Sequence, residues 1–233
     1  MILLRFADEL SLMARTARGV ALISPRRLRL GLAAAMLAEL VDCGRLVVHN
    51  SPVAEDESWV TVLSEPLRQG RHRTPGTSAS GDVRAVPVDD LGYDVLDKMH
   101  HNRGHRDVRK WLAYLALTAE EDVGRRLVDR GIVRRKKSLL TGQVRWPPVS
   151  PTADAQGPSR LGTGVRRRDL WTEDVVVGGI VLAIGLDKHV FWDTDDEGLQ
   201  YLRQRVRELN QSYRQIIHHL EAATATAVAV GRT

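Results

Sequence analysis

The sequence predicts a mostly α-helical fold: one domain over 1–233, arranged around a buried central helix, with short strands and an exposed β-hairpin. Three observations predict it. Residues 27–43 are apolar on nearly every side, through Leu28, Leu32, Ala35, Met36, Leu37, Leu40 and Val41, and a helix without a polar face belongs inside a bundle. Apolar residues recur at three-and-four spacing in several further stretches, the period of a helix packed on one face. At 233 residues, 43% hydrophobic and 27% charged, the chain is long enough for a sizeable core and far from the composition of disordered chains.

In chain order, Phe6, Leu10, Met13 and Ala17 make a first helix that Gly19 stops. The central helix ends at Gly44, and Cys43 within its apolar run reads as a small buried hydrophobe. Leu46, Val47 and Val48, then residues 59–63, are short strands. The Arg-, Gly-, Ser- and Pro-rich stretch near 67–88 is a mobile surface loop. Helical spacing resumes with Tyr93, Leu96 and Met99, and again with Val108, Leu112 and Leu115. Thr118, with Glu121 three residues on, forms a capping-box pattern for a helix that carries Val123 and Leu127 and closes at Gly131. A hairpin over 138–146 turns at Thr141 and Gly142. A polar linker near 150–164 leads to a buried helix over 174–184, and a last long helix runs from about Glu197. The seam of that helix, Leu199, Leu202, Val206, Leu209, Tyr213, Ile216 and Leu220, has heptad spacing that a coiled-coil dimer could use. Its flanks lack complementary charges, which favours packing within the chain.

The 34 Lys+Arg against 29 Asp+Glu leave a formal charge of +5. That excess biases partners toward acidic surfaces but is modest for a dedicated nucleic-acid binder. A single cysteine excludes an intramolecular disulfide and a multi-cysteine zinc site. Charge interrupts the first eight residues too early for a signal-peptide core. The longest strongly apolar run, 175–186, falls short of the roughly twenty residues that span a bilayer. A cytoplasmic location is therefore expected, with any membrane contact peripheral on the cytoplasmic face.

There is no nucleotide loop, H-E-x-x-H zinc helix or nucleophile elbow in the sequence. No acid and base pair off, so neither catalysis nor a cofactor is expected. His100, His101 and His105 surround Asn102, Arg103 and Gly104, a turn between helices rather than a shared metal site. Asp193, Asp195 and Glu197 before Gly198 follow the front of a calcium loop, but Gln204 stands where the closing carboxylate belongs. An acidic helix N-terminus accounts for them.

The remaining signal is basic: Arg26, Arg27 and Arg29; Arg134, Arg135, Lys136 and Lys137; and Arg166, Arg167 and Arg168. Each cluster also reads as a solvated face. The second lies beside the apolar hairpin residues Leu139, Leu140, Val144 and Trp146, and cations next to an apolar tip suit a peripheral membrane contact. The alternative is that the hairpin folds back and buries those side chains. The sequence reading favours contact.

The order of motifs resembles the Golgi phosphoprotein 3 family. The pieces that carry the likeness are the amphipathic run 3–13, the Gly31-Leu32 helix ending in Gly44-Arg45-Leu46, Asp94-Val95-Leu96-Asp97, the run 108–112, and Arg126-Leu127-Val128-Asp129-Arg130-Gly131-Ile132-Val133 feeding the hairpin. Beyond Trp146 only helical pattern is shared. The resemblance implies a helical domain with an exposed hairpin that self-associates and touches membrane. It also implies recruitment through phosphatidylinositol 4-phosphate and an adaptor role. This chain departs from the family at its lipid-headgroup pocket: Ser24 replaces a Trp, and Ala33, Leu117 and Glu120 replace arginines. An aliphatic group and a carboxylate cannot stand in for guanidinium forks on a phosphate.

The expected function is that of a peripheral membrane adaptor. Its expected partners are anionic membrane lipids, a protein of unspecified identity, and a second copy through the hairpin. Arg26, Arg27, Arg29, Arg134, Arg135, Lys136 and Lys137 would meet lipid, and Leu139, Leu140, Val144 and Trp146 would carry self-association. The runner-up is a soluble protein-interaction module without lipid binding. Nucleic acid is not expected, since no reading helix is recognisable.

Overall fold

Helix α2 (Pro25–Asp42) runs through the middle of the molecule, with α1 (Phe6–Met13), α4 (Val108–Leu115), α5 (Ala119–Asp129), α7 (Thr172–Ala183) and α10 (Gln211–Val230) packed around it. The computed structural model describes residues 4–50, 58–63, 87–102, 106–138, 142–150 and 152–230, with the backbone alone for 152–159 and 226–230. The expected loop near 67–88 lies outside the described residues but for its last two positions.

The central helix forms where predicted. Ser24 caps it by accepting from the Arg27 amide, Pro25 sits at its first position, and Gly44 follows it at φ +66°. Its residues from Leu30 to Val41 are all buried. Gly31 sets the closest approach, because a Cβ there would lie 2.9 Å from Ile184. Strands β1 (Leu46–Asn50) and β2 (Ser58–Val62) pair antiparallel, Val48 opposite Val60. Helix α3 (Asp90–His101) follows, capped by Asp89 on the Gly92 amide. Strands β3 (Lys136–Lys137) and β4 (Val144–Arg145) form the root of the predicted hairpin.

The second half corrects three expectations. The polar linker near 150–164 is part of a helix, α6 (Thr152–Arg167), held by the buried pair Leu161 and Val165 one turn apart. Two apolar positions suffice to seat it, and the Gly- and Ser-rich composition around them hid the pattern. The last long helix is two: α9 (Asp196–Arg207), which follows the one-turn α8 (Asp187–Val190), and α10. Asn210 starts α10 afresh, its side chain accepting from the Tyr213 amide, an N-cap pattern that interrupts the heptads. The seam residues Leu202, Leu209, Tyr213, Ile216 and Leu220 are buried within the chain. Thr118 occupies the N-cap place of α5 but its side chain makes no cap bond. Its backbone is already helical, bound to Leu115 in the tight turn after α4.

A buried ionic cluster ties these elements together. Arg126 on α5 grips Glu39 of α2 with two bonds of 2.8 and 2.9 Å, reaches Asp8 of α1 at 2.8 Å, and meets Asp89 before α3 at 3.1 Å. Asp8 also holds Arg130 at 2.8 Å, and Glu39 accepts the Ala7 amide. Burial works against the Arg126 charge, but Glu39, Asp8 and Asp89 outweigh it and push its pKa up. Burial also opposes ionisation of Asp89, yet the Gly92 amide, Arg126 and Arg5 hold its pKa down. Glu39, also buried, is pushed up by burial with Arg126 pulling against it.

Candidate functional site

The hairpin root places Lys136 directly opposite Arg145 and Lys137 opposite Val144. Gly142, at φ +67°, turns the chain back, with its amide on Ser138 and the Ser138 amide on Gln143. Like charges in register repel, and the local ladder offers nothing to offset them. Arg134, Lys136, Lys137 and Arg145 are all exposed, and no ion pair reaches any of them among the described residues. Arg135 differs: it pairs with Glu121 at 3.1 Å and lies 5.8 Å over the Trp146 ring.

Trp146 is the clear correction within this site. It is 2% exposed and belongs to the core rather than to a contact surface. Two glycines make its slot: a Cβ at Gly124 would stand 2.6 Å from the indole, and one at Gly19 would stand 2.5 Å from the Trp146 backbone. The sequence separates Gly19, Gly124 and Trp146 too widely for that slot to be read. Val144 is half-buried against the same core. Leu139 and Leu140 lie outside the described residues.

The other two basic clusters are not single patches. Arg26 faces solvent, Arg29 bonds the Pro25 carbonyl at 3.2 Å, and Arg27 turns toward the end of α7 near Gly185. Arg166 pairs with Asp193, and Arg168 with Glu197 at 2.8 Å. The acidic residues read as the front of a calcium loop thus serve the Arg cluster and the α9 cap, Asp195 accepting from Gly198. His101 bonds the Asp97 carbonyl, and His105 lies outside the described residues. Among those residues no group of three His, Cys, Asp or Glu could hold a metal, and no helix is long and apolar enough to cross a membrane.

The four positions where the sequence departs from the Golgi phosphoprotein 3 pattern are placed as follows. Ser24 is spent capping α2, and Ala33 is fully buried within it. Glu120 is bound by the buried Arg15 at 3.1 Å, and Leu117 points outward at 73% exposure. Arg15 also donates to the Ser11 carbonyl, so its charge is turned inward.

Together these features define a helical domain with a cation-rich hairpin root. The family model for Golgi phosphoprotein 3 (GPP34) matches residues 6–229, and the chain belongs to that family. The match extends through α6–α10, where the sequence offered only compatible pattern. No curated protein matches the chain.

Proposed function

We propose that the protein is a peripheral adaptor that docks on anionic membrane through the unmatched cations of its hairpin root, and acts by binding rather than by catalysis. The observation that carries this reading is Lys136 in register with Arg145, flanked by Arg134 and Lys137. A two-residue ladder that sets like charges face to face gains from an external anion, and each basic residue near an anionic surface contributes about 1 kcal/mol. Family membership supports the adaptor role and self-association through the hairpin, for which Leu139 and Leu140 are the candidates from the sequence. Phosphatidylinositol 4-phosphate is then bound as one anionic lipid among others. Arg26 and Arg134 add to the field, and the half-buried Arg27 and Arg29 contribute less.

Flotation with vesicles matched in surface charge tests this. Binding should be equal for phosphatidylinositol 4-phosphate and phosphatidylserine vesicles, and should weaken steeply with salt, since charge is screened over about 10 Å at 0.1 M. A salt-resistant preference for the phosphoinositide would overturn it. Absence of binding to any anionic vesicle at low salt would favour the protein-interaction module instead.

A further inference from the structure

Strand β2, α3 and α4 part around a cavity of about 730 Å³, within the size range of small-molecule sites. Its floor is apolar: Val60, Leu96, Met99 and Trp111 line it and are all buried. One wall is the outer edge of β2. The Leu63 amide bonds the Arg45 carbonyl at 2.9 Å, so these two residues extend the β1–β2 ladder by one pair. Bonded pairs alternate along an antiparallel ladder, which turns the amides of Val60 and Val62 away from β1. The Arg106 carbonyl takes the Val60 amide at 2.8 Å. The Val62 amide, on the same edge, has no backbone partner among the described residues.

Two guanidinium groups line this cavity, those of Arg45 and Arg106, against one carboxylate, that of Asp97; the His100 imidazole lines it too. Arg45 is half-buried and held in place, its Nε donating to the Leu63 carbonyl at 3.1 Å. Arg106 is anchored through its backbone on Val60 and leaves its side chain exposed. Neither arginine forms an ion pair among the described residues. Asp97 turns to the neighbouring His101, 3.3 Å from its Nδ1. An apolar floor with a few polar groups at its edge is the make-up of a ligand site. Two positive groups against one negative suit a monoanion better than a doubly charged phosphate. We infer that this cavity binds a small amphipathic carboxylic acid. Its ring or chain lies on Leu96, Met99 and Trp111, and its carboxylate is held by Arg45, Arg106 and the Val62 amide. None of the hairpin cations lines the cavity, so this site stands apart from the docking reading.

Naphthylacetate and octanoate, a ring and a chain with the same anionic group, test this on the whole chain by calorimetry and by NMR of amides and indoles. Both should bind saturably, and the Val62 amide and the Trp111 indole should shift on titration. Naphthylacetamide has the same shape without the charge. It should bind roughly tenfold more weakly, the loss expected when charge-assisted bonds to guanidinium become neutral ones. Arg106→Gln should weaken naphthylacetate by a similar factor and leave naphthylacetamide unchanged. An exposed side chain tolerates that change, and thermal unfolding checks that the fold is intact. Equal affinity for acid and amide, or wild-type affinity for the acid in Arg106→Gln, would reveal apolar partition alone and overturn the site. Failure of both acids to bind, or shifts confined to residues outside the cavity, would overturn it too. Acid binding with these shifts in a protein that floats with no anionic vesicle would sink the docking reading and leave this one standing.

Discussion

The molecule treats its charges in two opposite ways. Around Arg126, inside the helix packing, three carboxylates and two further arginines close on one another, and Asp8 has no solvent exposure at all. At the hairpin root, cations of the same chemistry stand in solvent, in register with each other and unmatched among the described residues. The first region shows what a charged group must have before it can be buried, which is a full set of partners. The second has none of that constraint, because water solvates the cations until something anionic replaces it. Charge that is internally satisfied orders the fold. Charge left unsatisfied on a surface is available to a partner.

That contrast predicts very different costs for removing one positive charge. Arg126→Ala leaves Asp8 and Glu39 buried without their main partner, and should destabilise the protein by about 3–5 kcal/mol. Denaturant unfolding checks this, and a cost below about 1 kcal/mol would mean that water already reaches the cluster.

An intermediate case lies where α6 meets α1 and α7. Arg160, 56% exposed, bridges Glu9 at 2.7 Å and Asp174 at 3.0 Å. Burial pushes both carboxyls up, with Arg160 pulling the other way. The folded state therefore holds these protons more tightly than the unfolded chain. Their contribution is most favourable below the unfolded carboxyl values and is lost as pH rises through the raised folded ones. Arg160→Ala enlarges that effect. It should cost about 1 kcal/mol or less at pH 7, given the exposure, and the cost should shrink as pH falls through the carboxylate range. Thermal melts of variant and wild type across that range test it; a cost independent of pH would show that Arg160 acts by packing alone.

The sequence made the fold more legible than the site. Continuous signals were readable: the all-round apolar run of α2, the alternation of β1 and β2, and Gly131 closing α5 at φ +69°. Signals that depend on distant partners were not. Asp8, Glu39 and Arg126 each look like ordinary polar interruptions of an apolar stretch, and only the fold brings them within 3 Å. Trp146 was misread for the same reason, since the glycine that admits its ring, Gly124, and the one that admits its backbone, Gly19, come from a helix and a loop far along the chain. The Arg166–Arg168 cluster looked like free charge until the fold set Asp193 and Glu197 against it. Of the hairpin cations, Arg134, Lys136 and Lys137 are exposed with no ion pair among the described residues, whereas Arg135 is answered by Glu121, which the sequence did not foretell.

The most direct test reverses that exposed charge without touching the interior. The double variant Lys136→Glu/Lys137→Glu should keep wild-type stability within about 0.5 kcal/mol, as expected for surface changes. Measured by flotation on 30% phosphatidylserine vesicles at low salt, its affinity should fall by more than about tenfold, since each basic residue at the surface is worth about 1 kcal/mol. A folded double variant that binds these vesicles as well as wild type would contradict docking through the hairpin root.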